Sequence, residues 1–500
     1  MQKRQILINA SMSILQVLII GAVLFILYRF LLKTIGVEQL GIWSLVLAVT
    51  SVSQIANFGL SGSVVKFVAK YIALGENTTV SKVVQTAVIS VGSFVGFILL
   101  AGYPIARWAL GLVVKTESLS LALSILPYAF LSFWIMVISG VFQGCLDGCQ
   151  RIDLRSLLLM GGTIINLLFC FLLAPTYKLM GVAYAGVIQN FAVLIGSCLI
   201  LKRLFPSMSI LPAKWDKDIF KEMIGYGINF QLISLTTMFY DPVTKAFLSK
   251  FGGLPMVGYY EMASKMVQQF RALIVSANRV LVPAIADLQE KIPEKIESIY
   301  LASYQLLFYL ALFLFSLIIL CIPIISELWI GHYERIFVVF GMLLVAGWFF
   351  NILSTPAYFT YLGTGELRWN VISHVTTALL NASLGFLFGL FYGAIGVVIA
   401  WTVSLVLGSN IVNVSYHILY KIPLSELIPK ASKALIATCL TGILFGLFVQ
   451  QKLDHSVSTL TVNSLIIFFF SIIVFVPFWF HPMRKRLMGW ISNELLSNKI

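Results

Sequence analysis

Charged residues are scarce in this chain, and their scarcity excludes most classes of soluble protein. Only 11% of its 500 residues are charged, while 59% are hydrophobic, and the mean hydropathy is +0.96. An ordinary globular chain carries about a quarter charged residues. Apolar runs such as residues 306–325 and 464–480 are long enough, or nearly so, to cross a hydrocarbon core about 30 Å thick. We therefore expect an all-α polytopic membrane protein.

The chain also lacks the signatures of common enzymes. It contains no GxxxxGK[ST] phosphate loop, no HExxH zinc motif and no GxSxG nucleophile motif. No stretch is polar and long enough to fold into a soluble ATPase or catalytic domain. The six cysteines lie in or beside apolar segments, which is typical of packing residues. We expect a secondary transporter with no catalytic residue, no cofactor and no bound metal.

The hydrophobic segments predict fourteen membrane spans, and Lys and Arg predict their orientation. With the N-terminus inside, the cytoplasmic segments hold about three times as many Lys and Arg residues as the outer segments. Both termini are then cytoplasmic, and the net charge of +14 does not indicate nucleic-acid binding. No small-residue cleavage site follows the first span, so we expect it to remain in the membrane. The predicted spans are residues 8–33, 41–70, 82–105, 120–145, 154–175, 180–202, 220–249, 256–285, 299–325, 336–361, 369–391, 395–419, 431–450 and 461–480.

An internal repeat organises these spans. The segment FLLKTIGVEQLGIW (30–43) has an echo in FLSKFGGLPMVGYY (247–260), at a shift of 217 residues, and a second set of matches lies at a shift of 215. Each repeat holds six spans, an even number, so both enter the membrane in the same sense, as a parallel pair about an axis along the membrane normal. The predicted organisation is an N-terminal lobe (1–203), a basic cytoplasmic linker (204–218), a C-terminal lobe (219–420) and an appended pair of helices with a tail (421–500).

Span 8 carries the densest set of embedded polar residues. Glu261, Lys265, Gln268, Gln269 and Arg279 follow helical spacing and share one face, and Arg271 lies off this face near the middle of the span. A functional interpretation is a cationic wall that attracts a phosphate or pyrophosphate, which guanidinium groups bind bidentately. The structural alternative is a set of interhelical hydrogen bonds whose outer charges extend to the headgroups.

Span 7 contains a proline next to a possible ion pair. Asp241 precedes Pro242, and Lys245 follows at the i+4 position. Because proline breaks a helix and a carboxylate can load and release a proton as its surroundings change, we interpret these three residues as a candidate ion-coupling or gating site. A structural ion pair at a bend explains them equally well. Arg29 on span 1 lies one residue from the repeat equivalent of Lys245 and is a further candidate anion contact.

Uncharged polar residues and one more lysine complete the candidates. Amides and hydroxyls suit sugar hydroxyls or a hydrated cavity, and they also suit ordinary helix–helix hydrogen bonds. The predicted cavity lining is Asn57, Ser53, Gln268, Gln269, His374 and Asn381. Together with Lys66, which follows a glycine-containing break in span 2, the expected pyrophosphate contacts are Arg271, Lys265, Arg29, Arg279 and Lys66.

The opening of the chain resembles a known group of transporters. Arg4, Asn9, the segment Gly36-Val-Glu-Gln-Leu-Gly41-Ile-Trp-Ser-Leu and the segment Asn57-Phe-Gly-Leu-Ser-Gly-Ser are similar to the start of bacterial polysaccharide flippases. These are the O-antigen or capsule translocases of the multidrug/oligosaccharidyl-lipid/polysaccharide exporter superfamily. The first seventy residues carry most of this resemblance, and the remainder matches in length and layout.

The resemblance implies a specific cargo and mechanism. It implies two lobes around a central cavity in the bacterial cytoplasmic membrane, and alternating access that moves an undecaprenyl-pyrophosphate-linked oligosaccharide to the outer leaflet. It also implies a proton or sodium gradient as the driving force and cavity Arg and Lys residues for the pyrophosphate. Glycosyltransferases or a glycan polymerase are possible partners.

Three alternatives stay open at the level of sequence. A drug or organic-cation exporter needs acidic cavity residues, and here embedded cations outnumber embedded carboxylates. A peptidoglycan-precursor flippase has a cargo with the same pyrophosphate head, so the charge of the cavity does not separate it from a capsule or O-antigen flippase. A membrane scaffold without transport activity would have no cavity.

Overall fold

Helices account for nearly all of the described structure. The computed structural model describes residues 3–52, 60–206, 214–278, 285, 292, 294–452 and 459–486, and these ranges contain no strand. The helices are α1 Lys3–Thr34, α2 Gly36–Ser51, α3 Leu60–Ala73, α4 Asn77–Val113, α5 Thr116–Gly148, α6 Ile152–Leu204, α7 Lys217–Met238, α8 Tyr240–Gly252, α9 Leu254–Asn278, α10 Lys295–Ile330, α11 Arg335–Leu353, α12 Thr355–Thr364, α13 Arg368–Leu419, α14 Lys433–Lys452 and α15 Thr459–Trp479.

Two helices are long enough to cross the membrane twice. α6 has 53 residues and α13 has 52, so at a rise of 1.5 Å per residue each would measure about 80 Å, more than twice a hydrocarbon core. Both contain one residue outside the helical region, Lys178 (φ 52°) and Gly393 (φ 60°), where the chain reverses. The predicted spans 5 and 6 and spans 11 and 12 are therefore the two halves of these helices.

Two other predicted spans are each broken into two helices, span 7 into α7 and α8 and span 10 into α11 and α12. Span 2 begins in α2 and ends in α3, and residues 53–59 between them lie outside the described residues. The break in span 7 falls at Phe239, so that Asp241 and Pro242 lie in the first turn of α8, where the missing N–H of proline costs little. Within the described ranges, nine helical segments are long and apolar enough to span a membrane, with α11 and α12 counted as one segment. The second crossings of the two double helices, the pairs α2–α3 and α7–α8, and α9 bring the described part to the fourteen predicted crossings.

The repeat is visible in the backbone. Gly36 (φ 78°) and Gly253 (φ 85°) both adopt the left-handed conformation that glycine tolerates, and they are 217 residues apart. Lys178 and Gly393, the reversal points of α6 and α13, are 215 residues apart. The two offsets found in the sequence therefore mark equivalent turns in the two halves of the fold.

The described chain forms two compact units, residues 1–261 and 262–500, and the boundary between them in the sequence falls within α9. In the first unit α6 packs against α1 and α5, and α8 packs against α2. In the second unit α11 packs against α13, and the appended helices α14 and α15 pack against α10 and against each other. The lobe boundaries expected at the linker (204–218), part of which lies outside the described residues, stay a prediction.

Candidate functional site

A buried lysine lies at the centre of a polar cluster in the first unit. We call Tyr28, Ser44, Asp241, Lys245 and Glu261 the Lys245 cluster. The Nζ atom of Lys245 is 2.8 Å from Oε2 of Glu261 and also bonds the carboxylate of Asp241, its i+4 neighbour. The side chains of Lys245 and Glu261 are each 5% exposed, whereas that of Asp241 is 45% exposed. The predicted Asp241–Lys245 pair is therefore present, and Glu261 is the deeper partner.

Glu261 also receives two hydroxyl donors from the start of the chain. The hydroxyl of Tyr28 on α1 donates to Oε1 at 3.1 Å, and the hydroxyl of Ser44 on α2 donates to Oε2 at 2.8 Å. A carboxylate buried away from water is tolerated only when it is paired and hydrogen-bonded. With these two donors and Lys245, Glu261 connects four helices.

The cluster follows the internal repeat. Tyr28 and Lys245 are 217 residues apart, as are Ser44 and Glu261, so its four buried members are two pairs of equivalent positions. The comparison of Lys245 with Arg29 is wrong by one residue, because Arg29 follows Tyr28, the repeat equivalent of Lys245, and is exposed. The grouping of Tyr28, Ser44 and Glu261 was missed, although the offset of 217 relates Tyr28 to Lys245 and Ser44 to Glu261 directly.

Two glycines bring the helices of the cluster together. A Cβ added at Gly41 on α2 would lie 2.0 Å from the carbonyl oxygen of Leu254, and one added at Gly258 on α9 would lie 2.4 Å from that of Val37. Gly41 and Gly258 are repeat equivalents, and so are Val37 and Leu254, which makes the contact reciprocal. Ser44 and Glu261 follow three residues after the two glycines, so the hydrogen bond between them lies beside this crossing.

A second cluster surrounds Arg271 in the second unit. We call Arg271, Trp348, Asn351 and Ser409 the Arg271 cluster. The guanidinium carbon is 4.4 Å from the centre of the Trp348 ring, a cation–π contact. The Nε atom of Arg271 donates to Oδ1 of Asn351 at 3.3 Å, and Nδ2 of Asn351 donates to the hydroxyl of Ser409 at 3.0 Å. Residues of α9, α11 and α13 are thereby linked.

Two further side chains are close to Arg271. His374 on α13 and Tyr358 on α12 both lie within range of its charge, and their rings meet edge to face with centroids 5.8 Å apart. Of the predicted site residues, the structure therefore brings Arg271 and His374 together. Trp348, Asn351 and Ser409 were missed as neighbours of Arg271, because no local spacing in the sequence connects them with α9.

The remaining candidates are spread over several helices. Lys265 and Gln269 on α9 are half-buried, and Gln268 is exposed and donates to the hydroxyl of Ser264 at 2.9 Å. Lys66 on α3 is exposed beside the Phe67 ring, and Asn381 on α13 is 1% exposed. Arg29 and Lys66 belong to the first unit, and Lys265 and Arg271 belong to the second.

Three candidates cannot be located. Arg279, Ser53 and Asn57 lie outside the described residues, so their expected roles stay predictions. In the part of the chain that is described, no group of three or more His, Cys, Asp and Glu residues is arranged to hold a metal ion.

Comparisons with known proteins agree on the fold and the family. The fold is similar to that of an inward-facing multidrug resistance MATE family transporter of the MOP superfamily, with a TM-score of 0.70, 15% identity, and coverage of 83% of this chain and 99% of the other. It is also similar to the lipid II flippase MurJ in an inward closed conformation (TM-score 0.62, 14% identity, 90% and 98% covered). A MOP superfamily transporter from Pyrococcus furiosus gives a TM-score of 0.58 at 16% identity, with 83% and 95% covered.

At these identities the structural likeness establishes the fold alone. None of the curated protein sequences matches the chain. Residues 4–289 match the family described as polysaccharide biosynthesis protein, and this match covers more than half of the 500 residues. The chain belongs to the polysaccharide biosynthesis protein family.

Proposed function

We propose that the protein is a flippase that moves an undecaprenyl-pyrophosphate-linked oligosaccharide, an O-antigen or capsule repeat unit, across the bacterial cytoplasmic membrane. Transport proceeds by alternating access and is driven by a proton or sodium gradient. The family supports a role in polysaccharide assembly, and the fold is one shared with transporters, among them a protein named as a lipid flippase.

The Arg271 cluster carries this proposal. A cation on a membrane helix is costly unless it serves a pathway or a partner. Arg271 contacts an aromatic ring and the neutral amide of Asn351, which in turn bonds Ser409. A guanidinium group presents its donors in a planar fork that matches phosphate oxygens. Arg271 therefore offers hydrogen-bond donors and a positive charge within the membrane, in place of the water that a pyrophosphate loses when it leaves the aqueous phase. Lys265, on the same helix, is the second cation that we assign to the cargo.

The Lys245 cluster argues against an organic-cation exporter. Such an exporter needs a carboxylate that meets the cargo. Glu261 is 5% exposed and bound to Lys245, Tyr28 and Ser44, and Asp241 is bound to the same lysine. Both embedded carboxylates identified in the sequence therefore already have cationic or hydroxyl partners.

Arg271→Gln is the direct test. We expect it to abolish or strongly reduce surface glycan in cells that depend on this chain. Arg271→Lys should be partly active, because an ammonium group keeps the positive charge but lacks the planar, two-donor geometry of the guanidinium group. Arg368→Gln is the matched control, since Arg368 also lies over a tryptophan ring, 5.6 Å from the centre of Trp369, but is exposed at the start of α13. Normal glycan display in Arg271→Gln at equal protein level would contradict the proposal.

Asp241 is the residue that we propose for ion coupling. It lies beside Pro242 at the break of span 7, and its greater exposure gives it access to protons that Glu261 lacks. In proteoliposomes with a fluorescent polyprenyl-pyrophosphate glycan, Asp241→Asn should remove the acceleration of transport by an imposed pH gradient and retain slow transport without one. An unchanged response to the gradient would exclude this role.

A further inference from the structure

Arg271 is held from two directions by residues that carry no charge. The guanidinium carbon lies over the Trp348 ring, 4.4 Å from its centre, and Asn351 Oδ1 accepts the Nε–H at 3.3 Å. Neither of these two contacts involves the Nη groups, with which a guanidinium forms bidentate hydrogen bonds to phosphate. Both contacts position the guanidinium group, and neither Trp348 nor Asn351 carries a charge.

The orientation of the Asn351 amide is itself determined by a third residue. Its Nδ2 donates to Ser409 Oγ at 3.0 Å, so its oxygen is directed towards Arg271. The three side chains form a hydrogen-bonded chain from α13 through α11 to α9. An aspartate has nearly the same shape as asparagine, but its negative charge would pair with the guanidinium and compete with any anionic ligand.

The indole of Trp348 adds a donor at the same place. Its Nε1 atom is buried and has no hydrogen-bond partner among the described residues. A buried donor left unpaired is unfavourable, so such a group marks a place where a ligand or water oxygen is accepted. An N–H donor beside a guanidinium favours an oxygen-rich anion.

We propose that Asn351, supported by Ser409 and Trp348, is a positioning residue that holds Arg271 ready for the pyrophosphate of the cargo. The inference rests on the proposed function, because it assigns Arg271 to that group. It further states that an uncharged side chain at position 351 is needed for high affinity for the pyrophosphate. The Asn351 amide has this effect by positioning Arg271 and does not contact the cargo itself.

The test compares Asn351→Asp with Asn351→Ala in the purified full-length chain. The probe is farnesyl pyrophosphate, and farnesyl monophosphate is the reference. We expect Asn351→Ala to weaken pyrophosphate binding about three- to fivefold, because the guanidinium loses one support. Asn351→Asp should weaken it about tenfold or more, because its carboxylate pairs with the guanidinium. A merely structural role predicts the reverse order, since aspartate keeps the shape and an acceptor for Arg271 Nε.

Two further comparisons show whether the effect passes through Arg271. In an Arg271→Gln background, the Asn351→Asp substitution should cause no further loss of pyrophosphate binding. Ser409→Ala should weaken binding about twofold to threefold, whereas Ser404→Ala should not. Ser404 is the matched control, because it is a buried serine on the same helix whose hydroxyl donates to the carbonyl of Ala400 on its own helix.

The outcomes separate the inference from the function. If the wild type binds farnesyl pyrophosphate no better than the monophosphate, both the proposed function and the inference are wrong. If the wild type prefers the pyrophosphate and Arg271→Gln loses this preference, but Asn351→Asp binds as well as Asn351→Ala or better, the function stands and the inference is overturned. A full effect of Asn351→Asp in the Arg271→Gln background would also overturn it.

Discussion

At the scale of single residues, Lys245 shows how a charge is accommodated inside a membrane fold. Its side chain is 5% exposed, and its ammonium group contacts Glu261 and Asp241. Removing one partner of a buried ion pair typically costs 3–5 kcal/mol, because the other charge stays buried, whereas replacing both partners is often neutral. The cluster should therefore be more sensitive to single substitutions than to a paired one.

We expect Lys245→Met to destabilise the protein by about 3 kcal/mol and to shorten its half-life at elevated temperature in detergent. Adding Glu261→Gln to this variant should restore most of the loss, since no buried charge is then left without its counterion. Lys250→Met, at an exposed position on the same helix, is the control and should behave like the wild type. If the double variant were no more stable than Lys245→Met, the ion pair would not be what stabilises the cluster.

What the sequence predicts at this scale depends on how far apart the partners are. Asp241 and Lys245 are four residues apart on one helix, so their pairing follows from helical spacing. Arg271 is recognisable as an embedded cation, but its partner Asn351 is 80 residues away. Contacts of this kind are set by helix packing, and a single sequence does not reveal which faces meet.

At the scale of helices, the crossing of α2 and α9 depends on the absence of two side chains. A Cβ at Gly41 or Gly258 would meet a carbonyl oxygen of the opposite helix at 2.0 or 2.4 Å, distances at which the backbone has to move. Small residues allow this close approach in membrane helices. The crossing also keeps the hydrogen bond between Ser44 and Glu261 short.

Gly41→Ala and Gly258→Ala should each lower the thermal stability, by about 1–3 kcal/mol, which is the usual cost of forcing extra atoms into a tight contact. Gly62→Ala is the control, because a Cβ there meets nothing within 4 Å, and alanine favours a helix over glycine. Thermal unfolding in detergent measures all three variants. Equal stability of Gly41→Ala and Gly62→Ala would show that the helices separate at little cost.

The end of α15 is fixed by a histidine outside the membrane spans. His481 is 4% exposed, stacks on Tyr309 with ring centroids 4.6 Å apart, accepts the backbone N–H of Met483 at 3.2 Å and bonds the hydroxyl of Ser432 at 3.1 Å. Burial lowers the pKa of His481 below its usual value, because the charged form is disfavoured away from water. The neutral imidazole therefore belongs to the folded state.

This arrangement predicts a loss of stability in acid. Above the ordinary histidine pKa of about 6.5, His481 is neutral in both the folded and the unfolded state. Below that pH the unfolded state binds a proton more readily than the folded state, so the free energy of unfolding decreases as the pH is lowered. We expect a lower thermal midpoint at pH 5.5 than at pH 7.5, and a smaller difference in His481→Asn. His332→Asn, whose side chain is 63% exposed in the wild type, should leave the difference unchanged. An unchanged difference in His481→Asn would contradict the assignment.

At the scale of helices, the sequence predicts where each membrane span lies better than it predicts how neighbouring spans are joined or where a span is broken. Residue composition identifies fourteen hydrophobic segments, and the described residues of these segments are almost all helical. It does not show that spans 5 and 6 are joined by a reversal at a single residue, Lys178, whose positive φ is unusual for a residue with a side chain. The two halves of α6 pack closely, since a Cβ added at Gly162 would lie 2.4 Å from Val193 and one added at Gly181 would lie 2.5 Å from the carbonyl oxygen of Leu173. Such long-range packing is not visible in the local sequence around Lys178.

At the scale of the whole molecule, the repeat is the feature that the sequence reveals most directly. The offset of 217 found in the segment 30–43 also relates the left-handed glycines, the reciprocal glycine contact and the buried members of the Lys245 cluster. The two copies have diverged at the level of side chains, because Tyr28 occupies in one copy the place of Lys245 in the other. Both ion pairs of Lys245 lie within the second copy, and the hydroxyls of Tyr28 and Ser44 link the first copy to it through Glu261.

The even number of crossings makes a further prediction about topology. Fourteen spans place both termini on one side, and the excess of Lys and Arg in the segments 66–82 and 202–221 indicates that this side is the cytoplasm. Fusions of alkaline phosphatase, which is active only outside, should be active after Ile35 and inactive after Gly75 and after residue 500. Fusions of a fluorescent protein that folds only in the cytoplasm should give the opposite pattern and serve as the control. Phosphatase activity after Gly75 would reverse the orientation of the first lobe, and with it the direction in which the proposed cargo moves.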